Sequence, residues 1–207
     1  MSEKKQMKQH AWVYRAAQHA AAALTHTITP LTTHDTDRIP AEGPVILICN
    51  HKTFYDAVAV LAACRHRKIA FMCKKELLKY KPFRWFFMQM GCIPVDRGNT
   101  DMTAMRASVK TLREGGVLGI FPEGTRHRKG VMEELEGGTA LLAMRANVPV
   151  IPAYITPKFR FFRRMHLYVG HPIPFADLRE EGINSETCQE LNRRITACYA
   201  EMVRAHG

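Results

Sequence analysis

A histidine and an aspartate five positions apart, His51 and Asp56, form a pair whose chemistry suggests catalysis. A carboxylate that accepts a hydrogen bond from one ring nitrogen of a histidine leaves the other nitrogen to take a proton. Positions five apart on a regular helix differ by roughly 140° in direction, so the two side chains meet only if the chain turns sharply into a helix starting near Tyr55. The spacing predicts a general base with its orienting carboxylate; the alternative is a loop histidine with no catalytic role.

The elements that must position this pair are short apolar strands. Residues 44–49 form an apolar run after a proline-containing turn, which is typical of a strand covered on both faces and places His51 at its carboxyl end. Two later apolar strands end in turns that carry Arg97 and residues 123–126. Because the carboxyl ends of parallel strands share one edge of a sheet, these groups are expected to face a single site. Arginine suits a phosphate there, since its planar fork donates two hydrogen bonds at once.

Strands alternate with helices along the chain, which predicts an α/β fold with a largely parallel central sheet flanked by helices. We divide the chain into an N-terminal helical segment, residues 1–30, and one folded domain, residues 31–207. Residues 7–28 contain no Pro or Gly and are expected to form a helix that either lies in a membrane interface or packs on the core. Residues 83–90 are crowded with bulky apolar side chains; a core helix is favoured, with a wall for an acyl chain or a membrane-facing patch as the alternative.

Composition limits the function classes without choosing one. The formal net charge of +11 suits anionic partners, which include nucleic acid, lipid headgroups and phosphorylated metabolites. The six cysteines are scattered with no Cys-x-x-Cys pair, as expected of reduced thiols in a cytosolic protein, and the nearest metal-like pair, Cys64 and His66, has no second half, so no metal site is expected. Neither a signal peptide nor an apolar stretch long enough to span a membrane is apparent.

The motifs that are missing narrow the chemistry. None of the serines, Ser2, Ser108 and Ser185, lies in a Gly-x-Ser-x-Gly turn, and neither a P-loop nor a Gly-x-Gly-x-x-Gly turn is present. These patterns argue against a serine hydrolase, nucleotide hydrolysis and dinucleotide binding. A histidine base without a protein nucleophile implies that the nucleophile arrives with the substrate, as an alcohol or water.

Four segments taken together resemble the ordered blocks of the glycerolipid acyltransferases, in particular the bacterial 1-acylglycerol-3-phosphate acyltransferases. They are NHKTFYD at residues 50–56, GCIPVDR at 91–97, FPEGTR at 121–126 and VPVIP at 148–152. The segment KKEL at residues 74–77 also looks like a family block, and the resemblance covers about residues 38–175. Glu136 departs from the pattern, because relatives usually carry a basic residue near this position.

The resemblance implies transfer of a fatty acyl group from acyl-CoA or acyl carrier protein to the free hydroxyl of a lysophosphatidic acid. His51 would be the base and Asp56 its orienting group. The residues implied in substrate binding are Asn50, Lys75, Arg97, Glu123, Gly124, Thr125 and Arg126, and those implied in the acyl or donor pocket are Pro149, Ile151 and Pro152.

The expected partners are a lysophospholipid acceptor, an acyl donor and an anionic membrane surface, for a cytoplasmic protein associated peripherally with the membrane. No cofactor, metal or nucleic acid is expected. Two alternatives stay open: the same chemistry on another lysolipid, because pocket shape sets the choice of acceptor, and a non-catalytic basic module that binds anionic lipid or nucleic acid.

Overall fold

The computed structural model describes residues 9–96, 101–123, 132, 135, 138–156 and 162–207. In these residues a seven-stranded sheet carries helices on both faces. The strands are β1 Leu31–His34, β2 Val45–Cys49, β3 Ile69–Lys74, β4 Ile93–Val95, β5 Val117–Ile120, β6 Val150–Ile155 and β7 Met165–Val169. The helices are α1 Ala11–Thr27, α2 Tyr55–Ala63, α3 Lys81–Gln89, α4 Met102–Arg113, α5 Gly138–Ala146, α6 Ala176–Glu180 and α7 Ser185–His206.

The strand order across the sheet is β1-β7-β6-β2-β5-β3-β4. Every pair from β6 through β2, β5 and β3 to β4 is parallel, whereas β7 runs antiparallel to β6 and β1 runs parallel to β7. The predicted α/β fold with a largely parallel sheet is therefore confirmed. The carboxyl ends of the parallel strands share one edge, as the sequence argument requires.

Strand β2 lies at the centre of this sheet, and all five of its residues are buried. Its side chains alternate between the two faces, as the pleat requires. Ile46 and Ile48 join the core beneath α4, α5 and α7, whereas Leu47 and Cys49 join the core beneath α2. The chain that leaves β2 therefore emerges at the middle of the carboxyl edge, directly before His51.

Helix α1 begins and ends within the predicted segment 7–28 and packs one face on the domain. It buries Val13, Tyr14 and Ala21. The hydroxyl oxygen of Tyr14 accepts a hydrogen bond of 2.7 Å from the backbone N–H of Ile69, at the start of β3. Of the two alternatives for this helix, packing on the core describes one of its faces. The division of the chain into an N-terminal segment, residues 1–30, and a folded domain, residues 31–207, stays a prediction.

The favoured interpretation of residues 83–90 as a core helix is wrong for most of this segment, because α3 is largely exposed. Gln89 is the buried residue of α3, while Phe83 and Trp85 expose 56% and 44% of their surface. The apolar side chains of α3 point in several directions around the helix axis. The sequence therefore offers no single apolar stripe that could be matched to a core. The neighbouring sheet face is already covered by α1 and α2, whose residues form its core.

None of the helices in the described part of the chain combines the length and apolar content needed to cross a membrane.

Candidate active site

The turn between β2 and α2 brings His51 and Asp56 together. The Nδ1 atom of His51 lies 3.2 Å from Oδ2 of Asp56. Helix α2 begins at Tyr55, as the spacing predicted, and places Asp56 in its first turn, where the helix dipole favours a negative charge. With Nδ1 turned toward the carboxylate, Nε2 is the nitrogen at which His51 can take a proton.

Asp56 also holds the loop that carries His51. Its Oδ2 accepts backbone hydrogen bonds from Lys52 and Thr53 at 2.6 and 2.7 Å, and its Oδ1 accepts one from the Thr53 hydroxyl at 3.0 Å. The residue is only 2% exposed, and this set of donors compensates the loss of water around a buried carboxylate. Asp56 can therefore orient His51 both directly and through the backbone of the turn.

The ring of Phe121 fixes the other side of the imidazole. The two ring centroids lie 4.3 Å apart with an angle of 28° between the planes. Phe121 follows β5, the parallel neighbour of β2, so the stacking partner comes from the adjacent strand end. This contact restricts rotation of the His51 ring about its side-chain bonds.

Glu123 binds the backbone of the same loop through its carboxylate. The carboxylate is 4% exposed and accepts hydrogen bonds from the backbone N–H of His51 at 3.0 Å and of Met132 at 2.8 Å. The resemblance implied a substrate contact for Glu123. These hydrogen bonds join the turn that carries His51 to Met132 and support a positioning role, and the substrate contact stays a prediction.

Asn50 is likewise a positioning residue in this geometry. It is 1% exposed, its Nδ2 donates to the carbonyl of Ile155 and its Oδ1 accepts from the N–H of Ile155, both at 2.8 Å. The side chain thus closes the carboxyl end of β2 onto that of β6, one residue before His51. The resemblance implied that Asn50 binds substrate, and this stays a prediction; in the structure its amide is engaged with the backbone of Ile155.

Cys49 is the buried thiol nearest the histidine along the chain. Burial raises the pKa of Cys49 well above its ordinary value, and the carboxylates of Asp56 and Glu123 raise it further. The thiol therefore stays protonated and is a poor nucleophile. This agrees with chemistry in which the nucleophile comes with the substrate.

The predicted phosphate-binding residues lie mostly outside the described part of the chain. Arg97, Gly124, Thr125 and Arg126 fall there, as does Glu136. Lys75 is described: its Nζ lies 3.2 Å from Oδ2 of Asp96, the residue that precedes Arg97. Lys75 is therefore placed at the carboxyl end of β3, beside the segment that leads to Arg97, and its role in binding substrate stays a prediction.

A cavity of about 670 Å³ opens beside His51. This volume falls within the ~300–1,000 Å³ typical of ligand pockets. Among the described residues that line it, only His51 and Lys74 carry a basic side chain, and the others are almost all apolar. The lining residues come from α1, α2, β3, α3 and adjoining loops: Ala17, Ala20, Ala21, Leu24, His51, Phe54, Ala57, Val58, Leu61, Phe71, Met72, Cys73, Lys74, Leu77, Phe86, Phe87, Met90, Cys92 and Phe121.

The predicted pocket residues Pro149, Ile151 and Pro152 do not line this cavity. Ile151 and Pro152 are buried within β6, and Pro149 stands at the amino end of that strand, where its carbonyl accepts from the N–H of Ile46. Because β6 and β2 are parallel, Pro149 is a strand length away from His51. The cavity wall instead includes small residues of α1, for which the sequence suggested no role in a pocket.

No group of three or more His, Cys, Asp or Glu side chains arranged to hold a metal ion occurs among the residues that the structure describes. The expectation of a reaction without a metal stays a prediction.

Comparison with known proteins identifies the family to which this fold belongs. Residues 30–156 match the Acyltransferase family, and this match covers more than half of the chain. The chain therefore belongs to the Acyltransferase family.

Similar proteins include the 1-acyl-sn-glycerol-3-phosphate acyltransferases of Streptococcus pneumoniae and Bacillus subtilis. The first is 31% identical over 169 residues, which are 78% of this chain and 62% of the relative. The second is 29% identical over 170 residues, 78% of this chain and 84% of the relative. The chain thus spans less than two thirds of the Streptococcus pneumoniae protein.

Among solved structures, the 1-acyl-sn-glycerophosphate (LPA) acyltransferase PlsC from Thermotoga maritima has a similar fold. The TM-score is 0.68 at 21% sequence identity, and the match covers 95% of this chain and 80% of that one. At this identity the likeness concerns the fold alone.

Proposed function

We propose that the protein transfers a fatty acyl group from a thioester donor to the free hydroxyl of 1-acylglycerol-3-phosphate, giving phosphatidic acid. The observation that carries this proposal is the position of His51, which is held by Asp56 and at the same time lines an apolar cavity. A base beside an apolar space suits a reaction that joins an alcohol to a fatty acyl chain. The names of the Streptococcus pneumoniae and Bacillus subtilis relatives support the choice of acceptor.

In the proposed reaction, Nε2 of His51 takes the proton of the acceptor hydroxyl as its oxygen attacks the thioester carbonyl. The tetrahedral intermediate then collapses with cleavage of the C–S bond, and the imidazolium returns the proton to the departing thiolate. The products are an ester and a free thiol, so atoms and charges balance. Asp56 stabilises the imidazolium in between, and the enzyme needs no nucleophile of its own.

The phosphate of the acceptor is assigned to Arg97, Lys75 and the segment of residues 124–126. Lys75 lies beside Asp96, which brings a basic side chain close to the segment that contains Arg97. The net charge of +11 favours a phosphorylated acceptor in general terms. No cofactor is assigned, and either acyl-CoA or acyl carrier protein would serve as the donor.

The direct test is an acyl-transfer assay with the purified protein and a panel of lysolipids, run with acyl-CoA and with acyl carrier protein as donors. We expect a phosphatidic acid product from lysophosphatidic acid, detected by mass spectrometry, and none with the His51→Ala variant. Transfer to a different lysolipid alone would reassign the acceptor. Thioester hydrolysis with every acceptor untouched would refute the transferase assignment.

A further inference from the structure

Residues 74–86, named here the docking segment, stand out from the fold as an apolar and aromatic surface. They run from the end of β3 through the 3₁₀ helix Lys75–Lys79 into the first turns of α3. The structure describes eleven exposed large apolar side chains, and five of them lie in this short segment: Leu77, Tyr80, Phe83, Trp85 and Phe86. Such a concentration marks an interaction surface, because scattered single residues would be expected otherwise.

The charges of the docking segment are mostly positive. It contains the five basic residues Lys74, Lys75, Lys79, Lys81 and Arg84 and one acidic residue, Glu76. Basic side chains that alternate with Trp, Tyr and Phe are typical of elements that lie at a bilayer surface, where the aromatic rings sit at headgroup depth. A partner protein with a dry interface would fit this surface less well, because charged residues are depleted at interface cores.

The docking segment also borders the cavity. Leu77 and Phe86 line it and yet remain 44% and 38% exposed, so they form part of its rim. Leu24 and Phe54 do the same from α1 and from the turn that carries His51. A bilayer resting on the segment would therefore meet the opening through which a lipid chain must enter.

From this continuity and the charge complementarity we infer that the docking segment seats the protein on an anionic phospholipid bilayer and so presents lipid chains to the cavity. The inference rests on the proposed function for the identity of those chains. It assigns the main lipid contact to α3 and the preceding 3₁₀ helix. Helix α1, the other membrane-facing candidate that the sequence suggested, uses one face to cover α2 and β3, and its large exposed apolar side chains are Trp12 and Leu24.

The chain carries two tryptophans, Trp12 in α1 and Trp85 in α3, so fluorescence can compare the two helices directly. The Trp12→Phe variant reports on Trp85, and the Trp85→Phe variant reports on Trp12. With vesicles of phosphatidylglycerol and phosphatidylcholine, we expect the emission of Trp85 to shift to shorter wavelength and to be quenched by lipids brominated on the acyl chains. Trp12 should respond less. A stronger response from Trp12, or no response from either residue, would overturn the assignment.

Charge reversal gives a second test with a matched control. Lys81→Glu with Arg84→Glu changes the docking segment, whereas Arg106→Glu with Arg113→Glu makes the same change in net charge at exposed positions of α4, on the opposite face of the sheet. The first pair should lower the affinity for phosphatidylglycerol vesicles, measured by sedimentation, at least about tenfold, because each basic residue near an anionic surface contributes about 1 kcal/mol. The control pair should lower it less, because this attraction is short-ranged. Equal losses in both pairs would show a general effect of charge and would contradict a local docking site.

An assay without a membrane separates this inference from the proposed function. With short-chain donor and acceptor below their micelle concentrations, the Lys81→Glu/Arg84→Glu variant should keep the transfer activity of the wild type. Its deficit should appear only when the acceptor is embedded in anionic vesicles. If the wild type is inactive on the soluble substrates but its Trp85 still responds to vesicles, the proposed function fails and the docking surface stands. An equal deficit with and without vesicles would refute the docking role.

Discussion

The buried carboxylate of Glu123 accepts a hydrogen bond of 3.0 Å from the backbone N–H of His51, a residue 72 positions earlier in the chain. A second hydrogen bond, from the N–H of Met132, occupies the other carboxylate oxygen. Together with Asp56, which binds the same loop from the α2 side, Glu123 determines where the imidazole sits. The candidate base is thus held by two buried carboxylates, one that contacts its ring and one that contacts its backbone.

Replacing His51 by Ala should lower kcat for acyl transfer by about a thousandfold, the usual scale for a positioned base. The side chain is partly buried at the end of a strand, so the variant should fold, and circular dichroism with thermal melting checks this. His51→Gln serves as a second variant of similar size. A folded variant that transfers acyl groups at the wild-type rate would eliminate the base mechanism.

Glu123→Gln distinguishes a positioning role from a phosphate contact. The amide can accept from one backbone N–H but presents its NH₂ group to the other, so we expect a loss of about 1–3 kcal/mol in the free energy of unfolding. In steady-state kinetics kcat should fall while KM for the acceptor changes little. An increase in KM with an unchanged kcat would instead place Glu123 in the acceptor site.

Asn50→Ala should destabilise the fold by about 2–3 kcal/mol, because the N–H and C=O of Ile155 both lose a buried partner. Urea denaturation measures this loss. Asn192→Ala is a suitable control: the residue is partly buried, and its Oδ1 is a buried atom with no hydrogen-bond partner among the described residues. Equal losses in the two variants would show that the link between β2 and β6 contributes nothing specific.

Ala20→Phe should reduce the space available to an acyl chain, because Ala20 lines the cavity from α1. We expect kcat/KM to fall about tenfold for long acyl chains and to stay within about twofold for short ones, since each methylene excluded from an apolar pocket costs on the order of 1 kcal/mol. Ala23→Phe, at an exposed position of α1 outside the cavity lining, is the matched control. A chain-length profile identical in both variants would exclude the cavity as the acyl site.

The pair His34 and His166 predicts a dependence of stability on pH. Burial lowers the pKa of His166 from its ordinary 6.5, and nearby His34 and Arg164 lower it further. The imidazole nitrogens of the two histidines lie 3.1 Å apart, Nε2 of His34 and Nδ1 of His166. Below pH 6.5 the unfolded chain binds this proton more readily than the folded one, so the free energy of unfolding should fall as the pH drops through the lowered pKa.

Urea denaturation from pH 7 to pH 5 measures this effect against His166→Gln. The stability of the wild type relative to the variant should decrease as the pH falls. His19→Gln, at an exposed position of α1, controls for the loss of one histidine. If the curves of wild type and His166→Gln run parallel over this range, the pair has no influence on stability.

The pairing of His51 with Asp56 could be predicted from the sequence because it depends on local geometry. The two residues are separated by a single turn at a strand end, and that turn has few ways to close before a helix starts at Tyr55. The alternation of apolar strands with helices also predicted the largely parallel sheet. The tasks of Glu123 and Asn50 could not be predicted in the same way, because their partners, His51 and Ile155, lie 72 and 105 positions away.

Sequence alone determined the candidate base, its carboxylate and the edge of the sheet at which they lie, since short-range spacing and hydrophobic period govern these features. Tertiary structure decided where the apolar cavity is and which surface stays uncovered. The cavity exists because the small side chains of α1 meet α2, β3 and α3 at a particular packing distance. Helix α3 is exposed because α1 and α2 already cover the sheet beside it. Local sequence does not specify which helix covers that face of the sheet, because the choice depends on contacts between distant parts of the chain.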